Sequence, residues 1–154
     1  MTTARPFFFG KPDARLFGWL HPVAGDAYSD LGLVICGPFG FEEVCTHRSL
    51  LHLAQAAAAA GFPSLRFDYA GCGDSSGDAD EPDTLGRWVS SIHCAVDTLK
   101  EQSGVNRVCL LGLRLGCALA TLAAISRLDV EHLIAIAPVV QGRLYVRELK
   151  AFAA

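Results

Sequence analysis

The chain has 154 residues, of which 51% are hydrophobic and 19% charged, and its formal net charge is −3. This length fits one domain with a single core, over residues 1–154. The absence of a basic run argues against a nucleic-acid-binding protein, and no apolar run approaches the roughly 20 residues of a membrane-spanning helix. The first ten residues also lack the apolar core of a signal peptide, so we expect a cytoplasmic protein.

Strand-like and helix-like segments alternate along the chain. Short apolar runs predict the strands, and apolar residues at helical spacing predict the helices. In chain order these are an edge strand at 7–9, strands at 16–20 and Leu31–Cys36, a helix at 46–60, a strand at 63–69, a helix at 85–99, a strand at 107–111, a helix from 115 to about 127, a strand at 133–137 and a helical start at 145–149. The alternation predicts a three-layer α/β sandwich with a mainly parallel, twisted sheet.

The six cysteines include no Cys-x-x-Cys pair, and two of them lie inside strand-like runs. Buried free thiols behave as small apolar side chains, so we expect reduced cysteines rather than disulfides.

The most informative junction is the turn Gly112-x-Arg114-x-Gly116, which follows a strand and opens a helix of small residues. This pattern is typical of a nucleophile elbow, in which the middle residue projects above the sheet. Catalysis requires a nucleophile at that position. Arginine is permanently protonated and cannot attack a carbonyl carbon.

A second junction, residues 37–40 (G-P-F-G), follows the strand expected beside the elbow strand. In a hydrolase this loop gives one backbone N–H to the oxyanion hole, and the residue after the nucleophile gives the other. Pro38 has no N–H. The candidate donors are therefore Phe39 or Gly40, with Leu115.

A third junction, residues 68–75 (D-Y-A-G-C-G-D-S), resembles a dinucleotide-binding turn only superficially. Gly77 falls one residue late for G-x-G-x-x-G, no helix opens directly after it, and the acidic residues that follow would repel a pyrophosphate. We expect no cofactor and no metal site.

Taken together, these segments resemble the α/β-hydrolase superfamily, and residues 68–75 look like the D-x-x-G-x-G-x-S loop of its serine aminopeptidase-like branch. Residues 38–43 (P-F-G-F-E-E), 112–116 (G-L-R-L-G) and 138–143 (P-V-V-Q-G-R) are similar to hydrolase-like proteins associated with exosortase A systems. The resemblance implies a truncated α/β-hydrolase fold, covering about the first half of the usual domain, and hydrolysis of an ester, thioester or amide.

The catalytic triad does not carry over from the family to this chain. Arg114 stands at the nucleophile position, and the family's acid and histidine follow after later strands. Downstream of Arg114 the sequence has one histidine, His132, at the start of a strand. Cys117 is an alternative nucleophile in the first turn of the helix, or else a packing residue. We expect the chain alone to be inactive, a pseudoenzyme.

Two interpretations of Arg114 stay open. One is an internal salt bridge to Asp68, Glu42 or Glu43, since a buried unpaired arginine is strongly destabilising. The other is a site for an anionic or acyl ligand at a helix N-terminus. The alternative function is accordingly that of a non-catalytic protein that binds such a ligand or a partner chain.

The strand at 133–137 is expected to form an exposed, apolar sheet edge. Such an edge favours pairing with another chain. We therefore expect self-association or a partner chain that covers it.

Overall fold

The computed structural model of the protein describes residues 3–25, 29–78 and 80–152. Within these ranges, strands and helices alternate after an N-terminal pair of strands. In chain order they are β1 (Arg5–Lys11), β2 (Ala14–His21), β3 (Leu31–Cys36), α1 (Phe41–Ala59), β4 (Ser64–Phe67), α2 (Thr84–Ser103), β5 (Arg107–Leu113), α3 (Leu115–Ala124), β6 (Val130–Ile136) and α4 (Gly142–Phe152).

The strands form one sheet in the order β1-β2-β4-β3-β5-β6. The hairpin β1–β2 is antiparallel, and β2 joins β4 in an antiparallel pair. The four strands β4, β3, β5 and β6 are mutually parallel. The predicted three-layer architecture with a mainly parallel sheet is confirmed, and β1 lies at an edge as expected.

Helices cover both faces of the sheet because the central strands are apolar on both sides. On one face, Leu33 and Ile35 of β3 pack with Leu50 and Ala54 of α1. On the other face, alternate strand residues such as Val34 form the larger core with α2 and α3. This arrangement sends the carboxyl ends of β3, β4 and β5 to the same edge of the sheet, where open α/β sheets bind their ligands.

Helix α1 begins at Phe41, five residues before the predicted start at residue 46. Gly40 precedes it with a φ of 67°, a conformation that glycine adopts readily, and Glu42 and Glu43 occupy the first turn. Carboxylates there interact favourably with the helix dipole. The early start matters because it places both glutamates at the carboxyl edge of the sheet.

The last strand, β6, pairs with β5 along one side and forms the second edge of the sheet. Its apolar side chains remain open to solvent, with exposed fractions of 41% for Leu133, 46% for Ile134 and 41% for Ile136. The prediction of an exposed, apolar edge is therefore confirmed.

The six cysteines are all free, as predicted. Cys36, Cys109 and Cys117 are buried, whereas Cys45 on α1 is exposed.

Candidate functional site

The turn from β5 to α3 has the backbone of a nucleophile elbow. Arg114 adopts φ 54° and ψ −117°, a strained conformation that side-chain-bearing residues rarely hold. The flanking glycines allow the close approach of the turn to its neighbours: a Cβ at Gly116 would collide with Cys36 O and would lie 2.6 Å from Gly37 O. A Cβ at Gly112 would lie 2.6 Å from the backbone nitrogen of Cys117. The strand, the tight turn and the helix predicted around Arg114 are all present.

Two carboxylates hold the guanidinium of Arg114. Its Nε donates to Glu42 Oε1 at 2.7 Å and its Nη2 donates to Glu148 Oε2 at 2.6 Å. The ring of Tyr145 lies 5.6 Å from the guanidinium carbon, at cation–π distance. The hydrogen bond that Arg114 donates to Glu42 raises the pKa of Arg114 above its ordinary value. The side chain at the nucleophile position is thus a fixed cation, whose charge is neutralised from two sides.

These contacts hold α4 against the elbow. Glu148 and Tyr145 both belong to α4, and the ring of Phe152 stacks on that of Phe41 at a centroid distance of 5.7 Å. Between the elbow and the segment 138–148 remains a cavity of about 160 Å³. It combines Arg114 with apolar side chains, Val139, Val140 and Leu144 among them.

Of the three carboxylates predicted as internal partners of Arg114, the structure brings only Glu42 to it among the described residues. Asp68 has another partner in the structure, since its Oδ2 accepts a hydrogen bond from the backbone N–H of Asp74 at 3.0 Å. Glu43 neighbours Asp68 in a separate cavity. Successive residues of a helix point about 100° apart, so Glu42 and Glu43 face different partners.

The predicted oxyanion-type residues lie beside the elbow. Phe39 and Gly40 follow β3, whose last residue, Cys36, is paired with Gly112 of β5. Leu115 is the first residue of α3, where backbone N–H groups have no acceptor within the helix. The aromatic ring of Phe39 packs at 5.1 Å from that of Trp88, which fixes the loop on the larger core.

Cys117 is buried and directed away from solvent. Its Sγ lies 3.1 Å from Gly112 O and 3.4 Å from Ile136 O, so the S–H group donates to backbone carbonyls. Burial raises the pKa of this thiol above its ordinary value. A protonated, enclosed thiol is a poor nucleophile, and the geometry favours the packing role.

His132 lies far along the sheet from the elbow. It is paired with Cys109, whereas the elbow follows Leu113, four residues further along β5. Four extended residues span about 13 Å. This histidine is therefore out of reach of the position that a general base would occupy.

A second group of charged side chains lies at the ends of β3 and β4. Arg66 is buried, and its Nε lies 3.2 Å from His21 Nε2, which accepts the hydrogen bond. Burial, followed by the nearby Arg66, lowers the pKa of His21 to about 4. Glu43, Asp68 and His47 line the same cavity as Arg66.

The sequence did not single out this group. His47 and His21 read as ordinary surface or packing residues, and Arg66 lies within a strand-like run. Only the antiparallel pairing of β2 with β4 brings His21 next to the strand that carries Arg66. An arginine inside an otherwise apolar strand was the one local signal.

Ser75 of the 68–75 loop is also buried. Its hydroxyl donates to Asp68 O at 2.7 Å and accepts from the backbone N–H of Phe17 at 2.9 Å. The first hydrogen bond lies within the loop, and the second ties the loop to β2. The serine is thereby a structural residue of the loop.

Among the described residues, no helix combines the length and the apolar character that crossing a membrane requires.

Comparison with known proteins gives matches in sequence and in fold. The family model described as serine aminopeptidase, S33, matches residues 40–154. Protein ABHD12B of Homo sapiens is 38% identical over 81 residues, which cover 51% of this chain and 21% of the human protein.

Solved structures share the fold at lower identity. An α/β serine hydrolase without lid from Xanthomonas campestris superposes with a TM-score of 0.72 at 21% identity, over 90% of this chain and 62% of the other. An esterase of Pyrococcus furiosus superposes with a TM-score of 0.74 at 19% identity, over 98% of this chain and 56% of the esterase. The chain thus spans about a fifth of the human relative and roughly three fifths of these solved proteins.

The family model covers well over half of the chain, and the fold agrees with the solved α/β-hydrolases. The protein belongs to the serine aminopeptidase S33 family and has the α/β-hydrolase fold.

Proposed function

We propose that this chain is a non-catalytic member of its family, a pseudoenzyme that retains the elbow but binds rather than hydrolyses. The observation that supports this proposal most directly is that Arg114, at the nucleophile position, forms ion pairs with Glu42 and Glu148. A guanidinium held in this way offers neither a lone pair nor a transferable proton. The enclosed thiol of Cys117 and the distant His132 support the same conclusion.

Hydrolysis of p-nitrophenyl acetate and p-nitrophenyl butyrate tests this proposal. We expect the wild-type chain to show no saturable hydrolysis, and Arg114→Ser to gain none, because His132, the histidine after the elbow among the described residues, is out of reach of that position. Cys117→Ala serves as the second variant. Saturable turnover by the wild type that disappears in Arg114→Ala or Cys117→Ala would contradict the proposal.

A small acyl or anionic ligand in the cavity under α4 is part of the proposal. The cavity offers a cation and apolar walls, which suit a short carboxylate. Such a ligand has to displace Glu148, the more exposed of the two carboxylates on Arg114, with a side-chain exposure of 52% against 21% for Glu42.

Butyrate binding therefore should depend on Glu148. We expect Glu148→Gln to bind butyrate more tightly than the wild type, by about tenfold, because one competing charge is removed. Isothermal titration calorimetry measures this, with Glu101→Gln on the exposed side of α2 as the matched control. Equal affinity in all three proteins would argue against the ligand.

A second candidate function is association with another chain through β6. The observation that favours it is the exposure of Leu133, Ile134 and Ile136 on an open sheet edge. Its test is the oligomeric state in solution.

The narrower kinship with exosortase A-associated hydrolase-like proteins stays a proposal, supported by residues 38–43, 112–116 and 138–143. A single domain over residues 1–154 and a cytoplasmic location stay predictions of the sequence.

A further inference from the structure

A small cavity separate from the elbow lies between α1 and the carboxyl ends of β3 and β4. Its volume is about 130 Å³, which is room for about four water molecules or for a ligand the size of glycine. Its apolar walls include Trp19, Ile35 and Leu50, and its polar groups include Arg66 and Glu43. The cavity is thus apolar in its lining, with a few charged groups that converge on it.

Arg66 is the unusual member of this cavity. The residue is 9% exposed, yet no described carboxylate lies within ion-pair distance of its guanidinium. Its Nε donates to His21, and its terminal amino groups, which form no further hydrogen bond with described residues, are open to solvent at the cavity. A buried arginine normally has an anionic partner, since an unpaired buried charge is strongly destabilising. The guanidinium thus borders the cavity without a fixed carboxylate partner, and an anionic group that enters the cavity would supply one.

Carboxylates line the same cavity, and their negative charges disfavour the binding of a simple anion. Glu43, Asp68 and Asp74 carry three negative charges against the one of Arg66, with His47 as the remaining titratable group. Phosphate or acetate at Arg66 would meet repulsion from these carboxylates. A simple cation, such as an alkylammonium ion, would leave the buried guanidinium unpaired. A ligand that carries both charges satisfies both sets of groups.

We propose that this cavity binds a small zwitterion of the size of glycine or alanine, whose carboxylate pairs with Arg66 and whose ammonium group meets Glu43 and Asp68. The volume of about 130 Å³ suits an amino acid with a small side chain, whose methyl group the aliphatic residues Ile35 and Leu50 of the lining would contact. The proposal is independent of the elbow, because it uses neither Arg114 nor α4.

The titration behaviour of the charged groups agrees with this assignment. Burial, and then the nearby Asp68, raises the pKa of Glu43, and burial raises that of Asp68. Burial lowers the pKa of Arg66. Each of these groups has lost hydration without gaining a full counter-charge, which a zwitterion would supply to both signs at once.

Isothermal titration calorimetry with glycine and L-alanine, against sodium acetate and methylammonium chloride at the same concentrations, tests the proposal. We expect saturable binding of the amino acids and none of either half-ligand. Glu43→Gln should weaken alanine binding by about tenfold or more, because a charge-assisted hydrogen bond is lost. The matched control, Glu101→Gln, removes an equal charge outside the cavity and should bind as the wild type does.

Arg66→Gln should abolish binding, with circular dichroism as the check on folding; if that variant does not fold, Glu43→Gln alone decides. Three results would overturn the proposal: no saturable binding of either amino acid to the wild type, acetate binding as tightly as alanine, or Glu43→Gln binding like the wild type. The first would mean that the cavity holds only water, and the second would mean that it is a plain anion site.

Discussion

At the scale of single residues, the elbow at Arg114 has the strained backbone of a nucleophile elbow but not the nucleophilic side chain. The strained backbone persists, with φ at 54°, although no nucleophile stands there to be presented. The contacts of the side chain with Glu42 and Glu148 offer a reason for its retention, because they tie the turn to α1 and α4. Strain at this position is therefore a property of the fold and not evidence of catalysis.

His21 makes a pH-dependent contribution to stability. Its pKa is about 4 in the folded protein, through burial and then Arg66, against about 6.5 for an unfolded chain. Between these values the unfolded state binds the additional proton, so the free energy of unfolding falls as the pH falls from 6.5 to 4. The loss from this group reaches about 3 kcal/mol below pH 4.

Denaturant unfolding at pH 7, 5.5 and 4.5 measures this effect. His21→Gln keeps an acceptor for Arg66 but cannot titrate, so its stability should fall less than that of the wild type over this range. His52→Gln, at an exposed position on α1, should keep the wild-type slope. Parallel pH profiles for the wild type and His21→Gln would show that His21 is not the titrating group.

Side-chain contacts are also where the predictions from the sequence and the observed structure differ most. Glu42 was one of three candidate partners for Arg114, and the choice among them required the start of α1 at Phe41. Helical periodicity did not reveal that start, because the first turn carries charged and apolar residues without an apolar stripe. The pair of Arg66 with His21 required the antiparallel pairing of β2 with β4, which no local pattern encodes.

At the scale of elements, α3 is positioned by the contact of its first turn with β3. Gly116 lies against the carbonyl oxygens of Cys36 and Gly37, so the helix approaches the strand more closely than any side chain would permit. Helix position and elbow geometry therefore depend on the same glycine.

Gly116→Ala should destabilise the protein by about 1–3 kcal/mol, because the added methyl group forces α3 away from β3. Gly142→Ala is the control, since a Cβ there has no atom within 4 Å, and it should change stability little. Chemical denaturation of both variants measures the difference. Equal stability of Gly116→Ala and the wild type would mean that α3 is not packed as described.

The elements themselves followed from the sequence with few errors. Strands β3, β5 and β6 were visible because each is a continuous apolar run, the pattern of a strand buried on both faces. The structure buries β3 and β5 in this way, whereas β6 is exposed. Strand β4 is shorter than predicted, since residues 68 and 69 already belong to the loop that Ser75 ties down. Capping by Gly40 and Asp83, rather than periodicity, sets the helix starts at Phe41 and Thr84.

At the scale of the whole molecule, the sheet of the described residues has an apolar edge at β6. Further apolar side chains are exposed in the turn after α3, where Ile125 is 77% and Leu128 fully exposed. An apolar surface next to an unpaired strand edge favours association with another chain.

Light scattering at increasing protein concentration should show a rising mass for the wild type. Ile134→Lys places a charge on the edge strand and should keep the chain monomeric. Val44→Lys adds the same charge at a site on α1 that is 75% exposed, so it should associate as the wild type does. A wild-type chain that stays monomeric throughout would remove the edge as an interaction surface.

The distribution of thiols has a practical consequence for spectroscopy. Cys45 is exposed, Cys72 and Cys94 are partly exposed, and Cys36, Cys109 and Cys117 are buried. Cys45 lies three residues after Glu42 on the same side of α1, close to the contacts that fasten α4. In a chain with Cys72→Ser and Cys94→Ser, a maleimide fluorophore on Cys45 would sit where movement of α4 changes its environment, which provides an optical readout of the elbow from a native cysteine.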